Sequence, residues 1–285
     1  MSQSIRVAIS GGGLAGASLF HALLPYKHLD VHIFESAAEF KEQGAAFGIT
    51  RNAVKALRLI GPSAASALER AGAVPQLGVR FMLAQGESAG SQVDEALDEL
   101  DGEGLTSIVH RAAFLKELLA DVPAERMHAL KKLARVERGS GDGQAPVTLH
   151  FEDGTKHETD VLIGADGIHS IVRGVVLGKD DEVTQPKNEG WWAVMALKPY
   201  AEARAALGEG NIDAENAREH MWIGKDTYML HNVLNGGTLA QFVLSGYEPE
   251  AVGSAQWHKM ISADELRAAY KDWPAHLQKG VEEVS

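Results

Sequence analysis

The sequence predicts a mixed α/β protein in which a parallel sheet is followed along the chain by a longer antiparallel sheet. Residues 5–35 read as a strand, a glycine-rich turn, a helix and a second strand. The apolar run 160–164 suits a strand that is buried on both faces of a parallel sheet. After about residue 179 the chain forms longer alternating and aromatic segments, for which an antiparallel sheet is the simplest account: Trp191–Leu197, His220–Ile223, Tyr228–Leu234 and Leu239–Ser245.

The glycine-rich turn gives the strongest chemical signal. After the alternating strand 5–9, Gly11, Gly13 and Gly16 fit the pattern G-x-G-x-x-G. In a Rossmann-like unit the first glycine permits a tight turn, the second lets the backbone approach a pyrophosphate, and the third lets the helix lie close to the strand. The start of the helix then offers free N–H donors and the positive end of its dipole to phosphate oxygens.

Glu35 stands at the end of the second strand, close to the expected distance of about 20 residues after the glycines. A carboxylate at this point accepts hydrogen bonds from an adenosine ribose and repels a 2′-phosphate. A glycine-rich turn alone is common between elements of any kind. Because strand, helix, second strand and acid all flank this one, the sequence predicts a site for the ADP half of FAD or NAD rather than NADP.

Composition narrows the class of partner. The chain has 285 residues, which is room for roughly two domains of ordinary size. Its 27 Lys and Arg against 39 Asp and Glu give a formal net charge of -12, which argues against nucleic acid or an anionic membrane surface and favours small organic substrates. There is no cysteine, so disulfides, thiolate metal sites and a cysteine nucleophile are excluded.

The sequence also bears on where in the cell the protein is found. The first residues show no basic region followed by an apolar core and a small-residue cleavage site. The longest apolar stretches, such as 191–197, are far shorter than the ~20 residues that span a bilayer. We therefore expect a cytoplasmic protein.

Hydrophobic spacing and turn residues predict the remaining elements. They are a helix over 50–60, a strand over 77–84, an exposed acidic segment over 87–103, a short helix over 110–120 and a hairpin whose turn is Asp153-Gly154. A loop that covers a substrate is the alternative interpretation of the acidic segment.

Three pieces that lie far apart in the sequence together carry a resemblance to a known family. They are the glycine turn with Glu35, Arg111 at the start of an amphipathic helix, and the segment 160–170 followed by Arg173. Together they resemble the FAD-dependent aromatic hydroxylases, which are single-component flavoprotein monooxygenases, and most of all their salicylate-hydroxylase-like branch. The resemblance covers nearly the whole chain, and the segment around Asp166-Gly167 is its most specific part.

The resemblance implies two domains that interleave along the chain. One is a discontinuous, Rossmann-like FAD-binding domain over 1–76 and 109–178. The other is an antiparallel β-sheet substrate domain over 77–108 and 179–285. The sequence does not predict the oligomeric state.

The resemblance also implies which residues bind the cofactor. Glu35 would bind the adenosine ribose, and Gly48 would let the segment 44–49 pass close beside the flavin. The residues expected at the pyrophosphate are Gly11, Gly13, Leu14, Ala15 and Gly16.

Two further positions are assigned in the same way, each with an alternative. Arg111 would reach the ribityl or phosphate region of the flavin with charge-assisted donors, or it is an ordinary surface residue of its helix. Asp166 and Gly167 would contact the cofactor and take part in use of the nicotinamide donor, or Asp166 only caps the helix that begins near Ile168.

The chemistry implied is reduction of FAD by NADH or NADPH, followed by transfer of one atom of dioxygen to an electron-rich ring such as a phenol or a benzoate. The cofactor performs the difficult step, while the protein orients the ring and excludes water. No protein nucleophile or metal is required. The sequence shows no His, Asp and Glu cluster with metal-ligand spacing and no nucleophile elbow of the hydrolase type.

The resemblance places the antiparallel sheet over the flavin ring, so its aromatic, Met and His side chains are candidates for the substrate pocket. Trp192, Trp222 and His231 are the chosen candidates from a pool that also includes Trp191, Met195, Met221 and Tyr228. Strand alternation places Trp191 and Trp192 on opposite faces, and only one face can look towards the flavin. Ordinary core packing is the alternative for each of them, and His231 is either a base towards a phenol or a structural histidine.

One departure from the family pattern concerns the C-terminal side. Family members have a later Gly-Asp-Ala-Ala-His type segment whose aspartate binds the ribityl chain, and this sequence has none before Ser285. We therefore expect weak or absent FAD binding and little hydroxylase activity. The alternatives are a truncated flavoprotein relic that acts as a binding module, and an NAD-dependent dehydrogenase, although no Tyr-x-x-x-Lys dyad supports the latter.

Overall fold

The computed structural model describes residues 4–41, 46–97, 106–139, 145–178 and 182–284. The strands are β1 Ile5–Ser10, β2 Leu29–Phe34, β3 Ala46–Ile49, β4 Val74–Pro75, β5 Gly78–Leu83, β6 Gln92–Leu97, β7 Ser107–His110, β8 Met127–His128, β9 Leu133–Arg138, β10 Val147–Phe151, β11 Lys156–Thr159, β12 Val161–Gly164, β13 Trp191–Pro199, β14 Glu219–Ile223, β15 Thr227–Leu234 and β16 Leu239–Tyr247. The helices are α1 Leu14–Leu23, α2 Arg51–Ile60, α3 Pro62–Arg70, α4 Arg111–Leu119, α5 Ile171–Leu177, α6 Tyr200–Leu207, α7 Ala263–Ala269 and α8 Ala275–Glu282.

The chain divides into two compact units that interleave along the sequence. Unit 1 comprises 1–43, 56–67 and 112–186, and unit 2 comprises 44–55, 68–111 and 187–285. Residues 44–55 and 68–76, which the sequence analysis assigned to the FAD-binding domain, therefore cluster with the residues of unit 2. Within the described ranges, no helix is both long enough and apolar enough to cross a membrane.

Unit 1 is built on a parallel sheet with the strand order β12-β1-β2-β8. β1 is flanked on both sides, because Ile9 pairs with Ile33 of β2 and with Ile163 of β12. This position explains why the last four residues of β1 are buried. The predicted parallel sheet, its opening strand–helix–strand unit and the apolar strand after the hairpin are all confirmed.

The predicted hairpin is confirmed as well. β10 and β11 pair in antiparallel fashion on either side of the turn at Asp153-Gly154, and β9 completes a three-stranded sheet. Gly154 has a φ of +82°, a conformation that glycine adopts without steric cost.

Unit 2 is built on a six-stranded sheet with the order β13-β16-β15-β14-β5-β6. Its strands are antiparallel neighbours except for β14 and β5, which run parallel. The predicted antiparallel sheet is therefore confirmed for the C-terminal segments, and β5 joins it from far away in the sequence. A second, three-stranded sheet has the order β3-β7-β4.

Part of the predicted exposed acidic segment forms a strand. Residues 92–97 form β6, an edge strand whose side chains are mostly exposed, and residues 98–103 lie outside the described part of the chain. Glu95 of β6 forms ion pairs with Arg80 at 3.1 Å and Arg218 at 2.8 Å. The hydrogen bond from Arg80 is the main cause that lowers the pKa of Glu95. The two arginines offset the negative charge of Glu95, which explains how an acidic stretch can pair with the edge of a sheet.

The two faces of the six-stranded sheet differ. The covered face packs on α6, α7 and α8, with Leu207, Leu266 and Leu277 from these helices in one apolar core together with Trp222 and Phe242 of the sheet. The open face is the opposite one, and it bears Trp191, Met195, Met221, Tyr228 and Leu230. Trp191 and Met195 are 51% and 55% exposed, whereas Trp192 is half-buried and packs against the covered-face core. The predicted alternation along β13 is thus confirmed.

Two histidines lie inside the covered-face core. The rings of His220 and His231 are stacked with centroids 4.9 Å apart, and both side chains are buried. The indole Nε1 of Trp222 donates a hydrogen bond of 3.0 Å to Nε2 of His231. Burial is the main cause that lowers the pKa of His220 to about 4, and burial also places the pKa of His231 well below its ordinary value.

This pair predicts a loss of stability at acid pH. In the unfolded chain an imidazole titrates near pH 6.5. In the fold His220 takes up a proton only near pH 4, so the unfolded state binds more protons between these values and the free energy of unfolding falls as the pH falls. Urea denaturation at pH 7.5, 6 and 5 should show this decline, at roughly 1.4 kcal/mol per pH unit for each such group.

Two variants test the assignment. His220→Phe should flatten the dependence of the free energy of unfolding on pH, whereas the exposed His258→Gln should leave it unchanged. Equal pH slopes in the two variants would exclude His220 as a source of the decline.

Candidate functional site

The glycine turn between β1 and α1 is shaped by two close approaches. Gly11 has a φ of +108°, and a Cβ atom on it would lie 2.2 Å from the carbonyl oxygen of Ala165. A Cβ on Gly16 would lie 2.0 Å from the carbonyl oxygen of Gly11. No side chain fits at either position. The first and third glycines therefore serve the tight turn and the close packing that their pattern predicts.

The first amide groups of α1 have no partner within the helix and no side-chain cap among the described residues. Gly13 is the residue before the helix, its backbone is extended, and no side chain of the described residues caps it. The first bond back to it is from the N–H of Ala17, at 2.9 Å. The N–H groups of Leu14, Ala15 and Gly16 have no partner within the helix. These donors and the helix dipole together suit an anionic diphosphate.

Glu35 lies directly against this turn. Its Oε2 accepts a 2.7 Å hydrogen bond from the N–H of Gly12, and its Oε1 accepts bonds from the hydroxyl of Ser36 and the N–H of Ala37. These three donors hold the carboxylate at the end of β2. A carboxylate has about four acceptor positions, so room remains for a ribose hydroxyl. The glycine turn, the amides at the start of α1 and the carboxylate of Glu35 thus fit the ADP part of FAD.

The segment around Asp166 adjoins the glycine turn and also caps a helix. The N–H of Ala165 donates a 2.7 Å hydrogen bond to the carbonyl of Ser10 at the end of β1. The Oδ2 of Asp166 accepts from the N–H groups of Ile171 and Val172 at the start of α5, and its Oδ1 accepts from the hydroxyl of Ser170. The capping alternative for Asp166 therefore describes its observed contacts, while its contact with the cofactor stays a prediction.

Arg173 fixes the other side of this segment. Its guanidinium donates to the carbonyl of Ile168 at 2.6 Å and to the carbonyl of Thr184 at 2.8 Å. A cavity of about 400 Å³ lies beside it, lined by Gly164, Asp166, Gly167, Ser170, Val172, Arg173, Val176 and Leu177. Sequence reasoning included Arg173 in the family pattern but gave it no role. The structure shows that Arg173 connects α5 to the segment before it, through Ile168, and to the segment after it, through Thr184.

Two of the predicted cofactor residues, Gly48 and Arg111, belong to unit 2. Gly48 lies on β3, and a Cβ atom there would make an ordinary 3.7 Å contact with Ile108, so the packing of unit 2 does not itself require glycine. Arg111 begins α4, and its guanidinium carbon lies 5.6 Å from the centroid of the Phe47 ring. Their roles towards the flavin stay predictions. Residues 44 and 45 of the same segment lie outside the described ranges.

The three substrate candidates lie in different surroundings. Trp222 and His231 are 1% and 0% exposed, and they are bonded to each other in the covered-face core. This partner for His231 could not be seen in the sequence. Trp192 lines a cavity of about 550 Å³ together with Trp191, Trp257 and Lys259, and the residues that line this cavity include neither Trp222 nor His231.

No metal centre accompanies these residues. Across the described ranges, no group of three His, Asp or Glu side chains is arranged to hold a metal ion.

Comparisons with known proteins agree on one family. A family model described as an FAD binding domain matches residues 4–213. The 6-methylsalicylate 1-monooxygenase atA of Aspergillus terreus is 38% identical over 276 residues, which are 95% of this chain and 60% of that protein. The salicylate hydroxylase of Pseudomonas putida is 31% identical over 278 residues, which are 94% of this chain and 62% of that protein.

A solved structure described as a salicylate hydroxylase substrate complex has the same fold. Its TM-score is 0.78 at 23% sequence identity, and the match covers 100% of this chain and 67% of that one. The chain spans about 60% of the length of the curated relatives that it matches.

The family model matches well over half of the chain, and both relatives align with nearly all of it. The chain therefore belongs to the FAD-binding-domain family, and the two relatives reported above are named a 6-methylsalicylate 1-monooxygenase and a salicylate hydroxylase.

Proposed function

We propose that the protein uses FAD, NAD(P)H and dioxygen to hydroxylate a small aromatic substrate of the phenol or benzoate type. The observation that carries the proposal is Glu35, which is held by the N–H of Gly12 beside the uncapped start of α1. The names of the relatives support the reaction class, since they are a 6-methylsalicylate monooxygenase and a salicylate hydroxylase. The activity is a proposal because the chain spans only part of their length.

The residues of this chain then have distinct tasks. The amides of Leu14, Ala15 and Gly16 bind the pyrophosphate of FAD, and Glu35 accepts the hydroxyls of the adenosine ribose. Bound FAD supplies the electron transfer and oxygen chemistry that protein side chains lack. The open face of the six-stranded sheet provides apolar side chains such as Leu230 and Met221 against which a ring can lie and from which water is excluded.

The direct test combines cofactor binding with turnover. The proposed function requires that purified protein binds FAD, shows oxidation of NAD(P)H that a phenol or a benzoate stimulates, and yields a product that contains one atom from labelled dioxygen. This result would overturn the expectation of weak FAD binding and little activity that the missing Gly-Asp-Ala-Ala-His type segment gives. If FAD binds but no ring stimulates the oxidation of NAD(P)H, the binding-module alternative is correct. If the protein binds nicotinamide dinucleotide without flavin, the dehydrogenase alternative is correct.

Replacement of Glu35 tests the adenosine site. In Glu35→Ala, the Kd for FAD should rise about 10- to 100-fold, because a hydrogen bond to a charged group contributes about 1.5–3 kcal/mol. Quenching of flavin fluorescence on titration with protein measures the Kd. The nearby exposed Glu39→Ala is the matched control and should bind FAD as the wild type does. An unchanged Kd in Glu35→Ala would show that this carboxylate does not bind the ribose.

A second pair of variants separates the cap formed by Asp166 from its predicted contact with the cofactor. Asp166→Ala removes the acceptor for the start of α5 and should lower the free energy of unfolding by about 1 kcal/mol, whereas Asp166→Asn keeps an acceptor and should lower it less. Urea denaturation measures both. If Asp166→Asn also binds FAD with the affinity of the wild type, the charge of Asp166 has no role at the cofactor.

A further inference from the structure

Two hydrogen-bonded histidines lie beside the end of β2 in unit 1. Nδ1 of His32 on β2 and Nε2 of His128 on β8 are 2.9 Å apart, and the two rings are stacked with centroids 5.1 Å apart. The other ring nitrogen of His32, Nε2, lies 3.4 Å from Oδ1 of Asp30. We call His32 and His128 the histidine pair. Through it, β8 is linked by a side chain to the strand that leads into Glu35.

The short strand that carries His128 also holds Glu35 by its main chain. The N–H of Glu35 donates a 2.8 Å hydrogen bond to the carbonyl of His128, and the carbonyl of Glu35 accepts a 2.8 Å bond from the N–H of Lys131. β8 has two residues and stands at the edge of the parallel sheet, where it pairs with β2. The hydrogen bond within the histidine pair therefore fastens an edge strand that has a short ladder.

Phe34 connects the histidine pair with the glycine turn. Its ring stacks on the ring of His128 with centroids 4.8 Å apart, and its carbonyl accepts a 2.8 Å hydrogen bond from the N–H of Gly11. Oε2 of Glu35 accepts from the N–H of Gly12. Two successive residues at the end of β2 thus hold two successive residues of the turn. A shift of β8 relative to β2 therefore moves the carboxylate of Glu35 relative to the turn.

The hydrogen bond of the histidine pair depends on how many protons the pair carries. A bond between two ring nitrogens needs one N–H and one lone pair. One extra proton keeps the bond, because a charged His32 donates from both of its nitrogens, to Asp30 and to a neutral His128. A second extra proton leaves an N–H on both facing nitrogens. The bond is then lost, and two like charges lie side by side.

The surroundings of His128 oppose this second proton. Burial is the main cause that lowers the pKa of His128, and the charges of His32 and Lys131 lower it further. An unperturbed imidazole titrates near pH 6.5. The histidine pair therefore stays bonded at neutral pH and takes up its second extra proton in more acid solution.

Further charged groups near the histidine pair lie on β1, β2 and β11. The ring of His157 on β11 is 5.5 Å from the ring of His32. Burial is the main cause that lowers the pKa of His157, the two histidines of the pair and Arg6 of β1 lower it further, and Asp30 of β2 opposes them. Arg6 is itself bound to carboxylates, since it forms ion pairs of 2.7 Å with Asp160 and 3.4 Å with Glu158. Each proton added to these three histidines thus raises the cost of the next.

We propose that the histidine pair positions Glu35 for the adenosine ribose, and that a second extra proton on the pair releases β8 and weakens the binding of FAD. His32 and His128 are positioning residues, because they act through Glu35. This inference rests on the proposed function, which assigns the ribose to Glu35, and adds to it a dependence on pH. A positive charge alone attracts the phosphates of FAD, so release of β8 and simple attraction have opposite signs.

The Kd for FAD as a function of pH tests that sign. Titrations of the full chain, followed by quenching of flavin fluorescence at pH 7.5, 6 and 5, should give a Kd that rises about 3- to 10-fold towards acid pH. This range corresponds to the loss of one hydrogen bond. Circular dichroism at each pH verifies that the chain is folded. A Kd that falls towards acid pH would show attraction of the phosphates and would overturn the proposal.

Two replacements of His128 separate the hydrogen bond from the proton. His128→Gln has an amide that bonds to His32 and takes up no proton, so its Kd should match that of the wild type at pH 7.5 and stay constant. His128→Phe keeps a ring against Phe34 without the bond, so its Kd should be about 3- to 10-fold higher at pH 7.5 and should not rise further. The exposed His28→Gln, in the same unit, is the matched control and should follow the wild type.

A double substitution tests whether the effect acts through Glu35. In Glu35→Ala the ribose contact is already lost, so the addition of His128→Phe should change the Kd little. If the two substitutions instead raise the Kd independently, the histidine pair does not act through Glu35 and the inference is wrong. If His128→Phe fails to fold, His128→Gln and the pH series still decide the question.

The outcomes separate this inference from the proposed function. If FAD binds with a Kd that depends neither on pH nor on His128, the inference is wrong and the proposed function stands. A rise towards acid pH that persists in His128→Gln comes from another group and also overturns the inference. If the wild type binds no FAD at any pH, the proposed function fails and the inference fails with it.

Discussion

The contact between the glycine turn and the loop after β12 is the constraint on which the candidate site depends. Gly11 leaves space for the carbonyl of Ala165, and Gly16 leaves space for the carbonyl of Gly11. This double close approach brings three things together: the uncapped start of α1, the carboxylate of Glu35 and the segment around Asp166. Any side chain at Gly11 or Gly16 separates these parts, so the same glycines determine both the packing of unit 1 and the shape of its anion site.

Local patterns were sufficient to predict much of unit 1. The strand–turn–helix–strand unit, the position of Glu35 and the Asp153-Gly154 hairpin all depend on residues close together in sequence, and each is confirmed. The alternation along β13 was predicted for the same reason, because successive strand residues point to opposite faces whatever the partner strand. The sequence also offered two interpretations of Asp166, and the observed hydrogen bonds are those of a helix cap.

What could not be predicted depends on pairing between distant strands. The sequence does not predict that β5 lies parallel to β14. It also does not predict that Glu95 of β6 forms ion pairs with Arg80 and Arg218. The partner of His231 is Trp222, which only the register of β14 and β15 reveals. Asn232 is another case: it pairs with Gln241 and donates a hydrogen bond to Glu219, and only the sheet brings these three separate segments together.

The central position of β1 bears on how the chain acquires its structure during synthesis. Ala8 pairs with Leu162, so 162 − 8 = 154 residues separate the partners, whereas the pairing with β2 is local. At the usual ribosomal rates of about 5–20 residues per second, the N-terminal strand waits roughly 8–30 s for its second neighbour. During this interval one edge of β1 is open to incorrect pairing, and such an edge is a target for chaperones.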